Sequence, residues 1–208
     1  MFGDHGMKKL TRLLMRYSIP LMMALGLGAV WLSSAKTHLT PQAGSTMADR
    51  RAPALQLTDD TGHNFNLADL HGRVVLVYFG YTSCPDICPT TLATMQAVWQ
   101  RLGAEQNRFR LVFVTLDPAH DTAPVLHDYL ANFPPPPLGL TGSLADITEA
   151  AEAWGVEWHR AADPRFIDHT SVIQVVGPDG GLKLRFGYSQ LSDPTAVAHD
   201  LLQVLHAG

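Results

Sequence analysis

The 208-residue sequence lacks the features of several large protein classes. It contains only two cysteines, which excludes a framework of several disulfides. Its 15 lysines and arginines are outnumbered by 19 aspartates and glutamates, and the net charge of −4 argues against a surface that binds nucleic acid. No internal repeat is present, and the only low-complexity stretch is the proline run from Pro134 to Pro137. One globular domain with an appendage is therefore expected.

The appendage is an uncharged N-terminal run from Tyr17 to Ala35, preceded by a basic cluster in residues 1–16. As a helix this run would span about 28 Å, close to the hydrocarbon core of a bilayer at ~30 Å. The basic cluster predicts a cytoplasmic N-terminus, a transmembrane anchor at residues 17–35 and an exported domain. A cleaved signal peptide is the competing interpretation, because Ser33 to Ala35 resembles a cleavage site. The length of the run favours the anchor.

The exported part divides into a linker and a domain. Residues 36–51 contain threonine, proline, glutamine, glycine and serine, and this composition predicts a linker. Residues 52–208 then form the domain, in which predicted strands and helices alternate. The predicted strands are Leu55–Thr58, Asn64–Asn66, Val74–Phe79, Arg110–Leu116, Val172–Val176 and Leu182–Phe186, and the predicted helices run from Pro89 to Leu102, Ala123 to Phe133, Asp146 to Trp154 and Pro194 to Leu205.

This alternation predicts an α/β fold with right-handed βαβ crossovers. Crossovers of this kind join parallel strands, so we expect a mostly parallel central sheet, with hairpins at the N-terminal and C-terminal ends of the domain making it a mixed sheet.

Both cysteines lie where the most apolar predicted strand meets a helix. The strand at Val74–Phe79 has no charge and ends at Gly80, and Cys84 and Cys88 follow just before the helix that contains Pro89. The free N–H groups and the dipole of a helix N-terminus favour a thiolate. A cysteine pair at such a junction is more often functional than structural.

The spacing of the pair leaves its chemistry open. Cys84 and Cys88 are separated by three residues, not by the two of a thioredoxin-type redox motif. On a helix, residues four apart have Cα atoms about 6 Å from each other. That separation permits a disulfide, and it equally permits two sulfurs to bind one soft metal ion.

Three separated motifs resemble one protein family. YFGYTSCPDICPTTLATM is followed by FVTLDPAHDT and DHTSVIQVVGPDG, and the three closely resemble, in order, the Sco/SenC family of membrane-anchored copper proteins that assist assembly of cytochrome c oxidase. The resemblance covers most of the chain from about Ala52. The sequence departs from the family pattern at Ser83, where histidine is common, and at Ala119-His120, where Glu-Arg is usual.

The resemblance implies a thioredoxin-like fold with an N-terminal hairpin and a copper site formed by Cys84, Cys88 and His169. From spacing alone, a single histidine is more often a surface or core residue than a ligand. Two thiolates and one imidazole suit Cu(I), and a weak fourth ligand can complete Cu(II), although zinc accepts the same donors. His120 and His127 follow the second apolar strand and are weaker candidates for modulating copper capture.

Three aspartates have both a functional and a structural interpretation. Asp86, between the cysteines, either orients a thiol or caps the helix. Asp117 and Asp121 either line the rim of the site or end the strand before them.

Two functions remain open from the sequence. The first is a metallochaperone of the inner membrane, with its domain in the periplasm, that receives copper from an upstream donor and delivers it to the CuA centre of cytochrome c oxidase subunit II. The second is a membrane-anchored thiol:disulfide oxidoreductase in which Cys84 and Cys88 reduce the CuA cysteines, and His169 is secondary. The spacing of the cysteines favours the first.

Overall fold

The computed structural model describes residues 40–207, which are built around one eight-stranded sheet. The predicted transmembrane anchor at residues 17–35 lies outside the described residues. From residue 40 to residue 207, no helix is both long enough and apolar enough to cross a bilayer.

The strands are β1 (Ser45–Arg51), β2 (Gln56–Asp59), β3 (Asn64–Asn66), β4 (Val74–Gly80), β5 (Phe109–Thr115), β6 (Leu138–Thr141), β7 (Trp158–Arg160), β8 (Ile167–His169), β9 (Val172–Val176) and β10 (Gly181–Gly187). The α-helices are α1 (Ile87–Leu102), α2 (Ala123–Leu130), α3 (Leu144–Ala153) and α4 (Pro194–Ala207). Short 3₁₀ helices occur at Leu67–Leu70, Gly103–Arg108 and Tyr188–Ser192.

The strand order across the main sheet is β1-β10-β9-β4-β5-β6-β2-β3. Only β4, β5 and β6 are parallel neighbours, and they are joined through α1 and α2. The remaining neighbours pair antiparallel. The prediction of a mixed sheet is therefore confirmed, but that of a mostly parallel sheet is wrong, because the connections that contain helices supply only the central three strands.

Strand β4 is the centre of the fold and is buried along its whole length. Because side chains alternate across a strand, Leu76 and Tyr78 face one hydrophobic cluster, whereas Val77 and Phe79 face the other. The first cluster contains the buried faces of α1, α2 and α4, and the second contains that of α3 and the β2–β3 hairpin. The partly buried side chain of Cys84 packs against both clusters.

Helix α1 begins earlier than its sequence pattern predicts. Its apolar side chains are buried at the predicted spacing, but its first residue is Ile87, so Cys88 belongs to the first turn. The helix ends at Gly103, whose φ of 56° lies in the left-handed region that favours glycine. Helix α2 ends three residues before the predicted Phe133.

The predicted linker at residues 36–51 is wrong in its second half. Residues Ser45–Arg51 form β1, an edge strand that pairs with β10. The segment before it is held by Asp200, a fully buried residue of α4 whose carboxylate accepts backbone N–H bonds from Gln42, Ala43 and Gly44 at 2.7–2.8 Å. This polar segment is ordered by backbone hydrogen bonds to β10 and to the carboxylate of Asp200. Such long-range bonds produce no local pattern in the sequence, so the sequence does not predict the strand.

Candidate metal centre

The two cysteines lie on either side of the start of α1. Cys84 is in the loop after β4 and is partly exposed, whereas Cys88 is the second residue of the helix and is fully buried. Both are free thiols, and the backbone N–H of Cys88 lies 3.4 Å from the sulfur of Cys84. At Gly80 a Cβ atom would lie 2.9 Å from the sulfur of Cys88. Glycine therefore lets this sulfur pack directly against the end of the central strand.

The two thiols have opposite electrostatic environments. A hydrogen bond from the Cys88 side chain lowers the pKa of Cys84 to about 5, and the backbone N–H groups of Asp86 and Cys88 act in the same direction. The same hydrogen bond, followed by burial, raises the pKa of Cys88. At neutral pH Cys84 is therefore a thiolate, and Cys88 is a thiol that donates to it.

Strand β8 brings His169 to the cysteines. The Nε2 atom of His169 is 4.0 Å from the sulfur of Cys88, and the Nδ1 atom of His169 is 3.2 Å from the carbonyl oxygen of Thr170. Because a carbonyl oxygen only accepts, Nδ1 carries the proton and Nε2 keeps a free lone pair. Burial lowers the pKa of His169, so the imidazole is neutral at pH 7, which is the form that binds metals.

The donor set of two sulfurs and one imidazole nitrogen suits a soft metal ion. Two such atoms bound to one ion, at lengths of about 2.3 and 2.0 Å as for zinc, are at most about 4.3 Å apart. The 4.0 Å between Cys88 and His169 is within this limit. Across residues 40–207, no three His, Cys, Asp or Glu side chains already form a cluster that could hold a metal ion. Binding therefore requires loss of the Cys88 proton and a local adjustment of side chains.

A buried carboxylate fixes the loop that carries Cys84. Asp121 accepts hydrogen bonds from the backbone N–H of Thr82 at 3.0 Å and from the hydroxyls of Thr82 and Thr115. These three donors account for the burial of Asp121. Of its two predicted roles, Asp121 therefore has a structural one, in which it ties the end of β5 to the loop after β4.

A buried tyrosine fixes the other side of the site. The hydroxyl of Tyr81 accepts a hydrogen bond from the backbone N–H of Ile167 at 3.2 Å. Its ring meets the ring of His169 edge-on, with the ring centroids 6.1 Å apart. Tyr81 therefore joins the loop after β4 to β8 and orients the imidazole.

The comparison with known proteins now assigns this arrangement to a family. The SCO1/SenC family model matches residues 44–206. The chain belongs to the SCO1/SenC family. A human relative of this family, protein SCO2 homolog, mitochondrial, is 33% identical over 204 residues, which cover 92% of this chain and 76% of the relative.

Solved structures of Sco proteins share the fold. ScoI of Bradyrhizobium japonicum, solved with copper bound, is 30% identical with a TM-score of 0.67 over 74% of this chain and 98% of that chain. BsSco, in which a disulfide switch was identified, is a member of the Sco family of cytochrome c oxidase assembly proteins. It is 25% identical with a TM-score of 0.62 over 76% of this chain and 95% of that chain. The expected Sco/SenC resemblance and thioredoxin-like α/β class are confirmed.

The departure of this SCO1/SenC chain at His120 lies in a cleft that also contains Ser83. Nδ1 of His120 is 2.9 Å from the carboxylate of Asp117, and Arg160 donates to the same carboxylate at 2.6 Å. Burial alone would raise the pKa of Asp117, but the bonds from His120 and Arg160 outweigh burial and lower it. Asp117, His120 and Ser83 line one cleft, and Ser83 directly precedes Cys84 in the sequence. A role of His120 in copper capture stays a prediction.

Two other predicted residues have different positions or contacts from those expected. His127 on α2 is 3.6 Å from Asp60 in the β2–β3 turn, and the structure does not bring it to the cysteines. Asp86 is the N-cap residue of α1, as one of its two interpretations predicts, but its side chain makes no capping hydrogen bond. Its backbone N–H instead helps to lower the pKa of Cys84.

Sequence reasoning missed the residues that support the site from distant positions, among them Tyr81 and Arg160. It also missed Tyr78, which lies beside Cys88. One signal was available for Tyr78, because strand alternation places it on the same face of β4 as Gly80.

Proposed function

We propose that this chain is a copper chaperone that binds one copper ion through Cys84, Cys88 and His169 and delivers it to the CuA centre of cytochrome c oxidase subunit II. The observation that carries the proposal is the approach of the His169 Nε2 lone pair to the buried sulfur of Cys88, whose backbone N–H lies 3.4 Å from the sulfur of Cys84. Membership of the SCO1/SenC family and the copper-bound structure of ScoI support copper as the metal.

The burial of the three ligands suits capture and release. Cys84 is partly exposed and already ionised at neutral pH, so it meets an incoming copper ion first. Cys88 then releases its proton to solvent as its sulfur binds, and His169 completes the set. Release follows the reverse order, in which an acceptor thiolate binds the ion as Cys84 leaves it. The upstream donor presents copper at this same exposed side.

The chaperone proposal includes a location. We propose that residues 17–35 anchor the chain in the inner membrane, with residues 1–16 in the cytoplasm and the copper site in the periplasm. The basic cluster before the apolar run supports this orientation. Alkaline phosphatase fused after residue 208 is expected to be active, and fused after residue 16 inactive. The opposite pattern would contradict the orientation.

The ligand set is tested by titrating the reduced full-length chain with copper without oxygen. We expect one copper per chain, and thiolate-to-Cu(II) charge-transfer bands after addition of Cu(II). The variant His169→Ala is expected to lose tight binding, whereas the matched control His127→Ala keeps it. A folded His169→Ala chain that binds copper as tightly as wild type, and supports full oxidase assembly at limiting copper, would refute the proposal.

A second function is favoured by one specific observation. A thiolate with a pKa of about 5 beside a protonated thiol is the arrangement that attacks a disulfide and then resolves the mixed disulfide. The disulfide switch of BsSco, a 25% identical member of the family, points the same way. In this function Cys84 attacks an oxidised CuA cysteine pair, Cys88 displaces the product, and the chain is left with a Cys84–Cys88 disulfide. The variant His169→Ala separates the two functions, because it should abolish the chaperone and spare the reductase.

A further inference from the structure

The hydroxyl of Tyr78 is buried without a hydrogen-bond partner. The residue is 1% exposed and lies on the face of β4 that packs against α1. Its hydroxyl is close enough to the side chains of Cys88 and Thr91 for both to affect its pKa, but neither has the geometry of a hydrogen bond with it. Native proteins contain few buried polar groups of this kind, since each loses its bonds to water. Phenylalanine would fill the same space without that loss, so the hydroxyl requires an explanation.

In the metal-free site this hydroxyl has only a small effect on Cys88, because it is the weakest of the causes that act on the pKa of that thiol. There the sulfur of Cys88 is 4.0 Å from Nε2 of His169, and the side chain of Cys84 has the largest effect on the pKa of Cys88. The surroundings of Cys88 are apolar, because the buried side chains of Leu92 and Phe113 belong to the same cluster. A neutral thiol is tolerated in such surroundings without a further partner.

The requirement changes when Cys88 binds copper. Its sulfur loses the proton and becomes a buried anion, which is stabilised by any hydrogen-bond donor within reach. Tyr78 carries such a donor, since a tyrosine hydroxyl with an ordinary pKa near 10 keeps its proton at neutral pH. Placement of Cys88 against Gly80 holds the sulfur on the same face of β4 as this hydroxyl.

We propose that the hydroxyl of Tyr78 donates a hydrogen bond to the sulfur of Cys88 in the copper-bound protein, and that Tyr78 is thereby a positioning residue of the metal centre. This inference rests on the proposed ligation of copper by Cys84, Cys88 and His169. In the binding step the thiol proton of Cys88 goes to solvent, its sulfur bonds to the ion, and Tyr78 keeps its own proton. No electron is transferred.

The chain provides a matched control in Tyr129. Its hydroxyl is also buried without a partner, and its ring packs on Phe113, which also contacts the ring of Tyr78. Burial and then the charges of the cysteines raise the pKa of Tyr129, but no hydrogen bond to either sulfur contributes. Replacement of either tyrosine by phenylalanine removes one unpartnered hydroxyl from the same cluster, and only Tyr78→Phe removes the donor to Cys88.

The test measures the Cu(I) affinity of the reduced full-length chain by competition with bicinchoninate. We expect Tyr78→Phe to weaken binding by at least about tenfold, the lower bound for a hydrogen bond to a charged group, and Tyr129→Phe to stay within about twofold of wild type. With Cu(II), the charge-transfer bands of Tyr78→Phe should move to lower energy, because loss of the donor raises the energy of the sulfur lone pair. Urea unfolding of the metal-free chains should show Tyr78→Phe at least as stable as wild type.

Each contrary result overturns the inference in a different way. Unchanged affinity and unshifted bands in Tyr78→Phe would show that the hydroxyl does not reach the bound sulfur. Equal losses in Tyr78→Phe and Tyr129→Phe would show a packing effect, and a less stable metal-free Tyr78→Phe would show that the hydroxyl already has a partner there. A wild-type chain that binds no copper would overturn the proposed function together with this inference, whereas the other results leave that function standing.

Discussion

The Cys88 side chain has the largest effect on the pKa of Cys84, which it lowers. The variant Cys88→Ala removes that side chain and is therefore expected to raise the pKa of Cys84. A hydrogen bond to a charged group contributes about 1.5–3 kcal/mol, and one pKa unit corresponds to about 1.36 kcal/mol. Loss of this hydrogen bond should therefore raise the pKa of Cys84 by about 1–2 units. From a pKa of about 5 in the wild-type chain, the midpoint should move to about 6–7, since the backbone N–H groups at the start of α1 remain. The variant Cys88→Ser keeps a side-chain donor and should stay closer to wild type.

The assay is the rate of alkylation of the metal-free, reduced chain by iodoacetamide between pH 4 and pH 9, with mass spectrometry to locate the modified residue. A more basic thiolate is a better nucleophile, with a Brønsted coefficient of about 0.4–0.5, so a pKa rise of about 1–2 units should make Cys88→Ala react about 2.5–10 times faster than wild type at high pH. At pH 5 the order should reverse, because few of its Cys84 side chains are ionised. His169 is the weakest of the causes that lower this pKa, so His169→Ala is the control and should shift the midpoint least. A midpoint in Cys88→Ala equal to that of wild type would refute this account of the pair.

Three further predictions concern the framework of the site. The variant Asp200→Asn should lower the free energy of unfolding in urea by about 1–3 kcal/mol at pH 7, because a neutral amide accepts the three N–H bonds less well. Burial alone would raise the pKa of Asp200, but those bonds outweigh burial and lower it. The difference in free energy of unfolding between wild type and Asp200→Asn should therefore be complete above the unfolded-state pKa of about 3.9, and it should vanish as pH falls through the folded-state pKa. A difference that does not change with pH would contradict this. The variant Gly80→Ala should lower the free energy of unfolding by about 1–3 kcal/mol and weaken Cu(I) binding, because its Cβ would displace the sulfur of Cys88. Unchanged stability and unchanged Cu(I) affinity would show that the site accommodates the methyl group. A chain that begins at Ala52 should unfold at a lower urea concentration than one that begins at Thr40, because it lacks β1 and the bonds to Asp200, and equal midpoints would mean that β1 contributes nothing to stability.

The parts of the fold that the sequence predicts are those with a strong local pattern. Strand β4 is an unbroken apolar run, and α1 has apolar side chains at helical spacing, so both were predicted near their observed positions. The strands β6, β7 and β8 have only three or four residues each, which is too short for a periodic pattern. Strand β1 is mostly polar because its backbone ladder, and not an apolar face, attaches it to the sheet.

The candidate site divides in the same way. Cys84, Cys88 and His169 were found because they occur in motifs, and the structure brings His169 to Cys88 across 81 residues of sequence. The supporting bonds of Tyr81 and Asp121 also join residues far apart in the sequence. No single sequence indicates which of its many polar side chains form such pairs, because each choice depends on the completed sheet.

Strand β1 also affects how this domain meets other protein chains. An exposed sheet edge offers free N–H and C=O groups to any unfolded or neighbouring chain, and such edges promote aggregation. In the main sheet β1 covers the seven-residue strand β10 and presents the charged side chains of Arg50 and Arg51 near its end, and the opposite edge is the three-residue β3. The sheet thus has one short edge and one edge with charged residues. Removal of β1 would uncover a long edge, and the remaining domain should self-associate as well as unfold more readily.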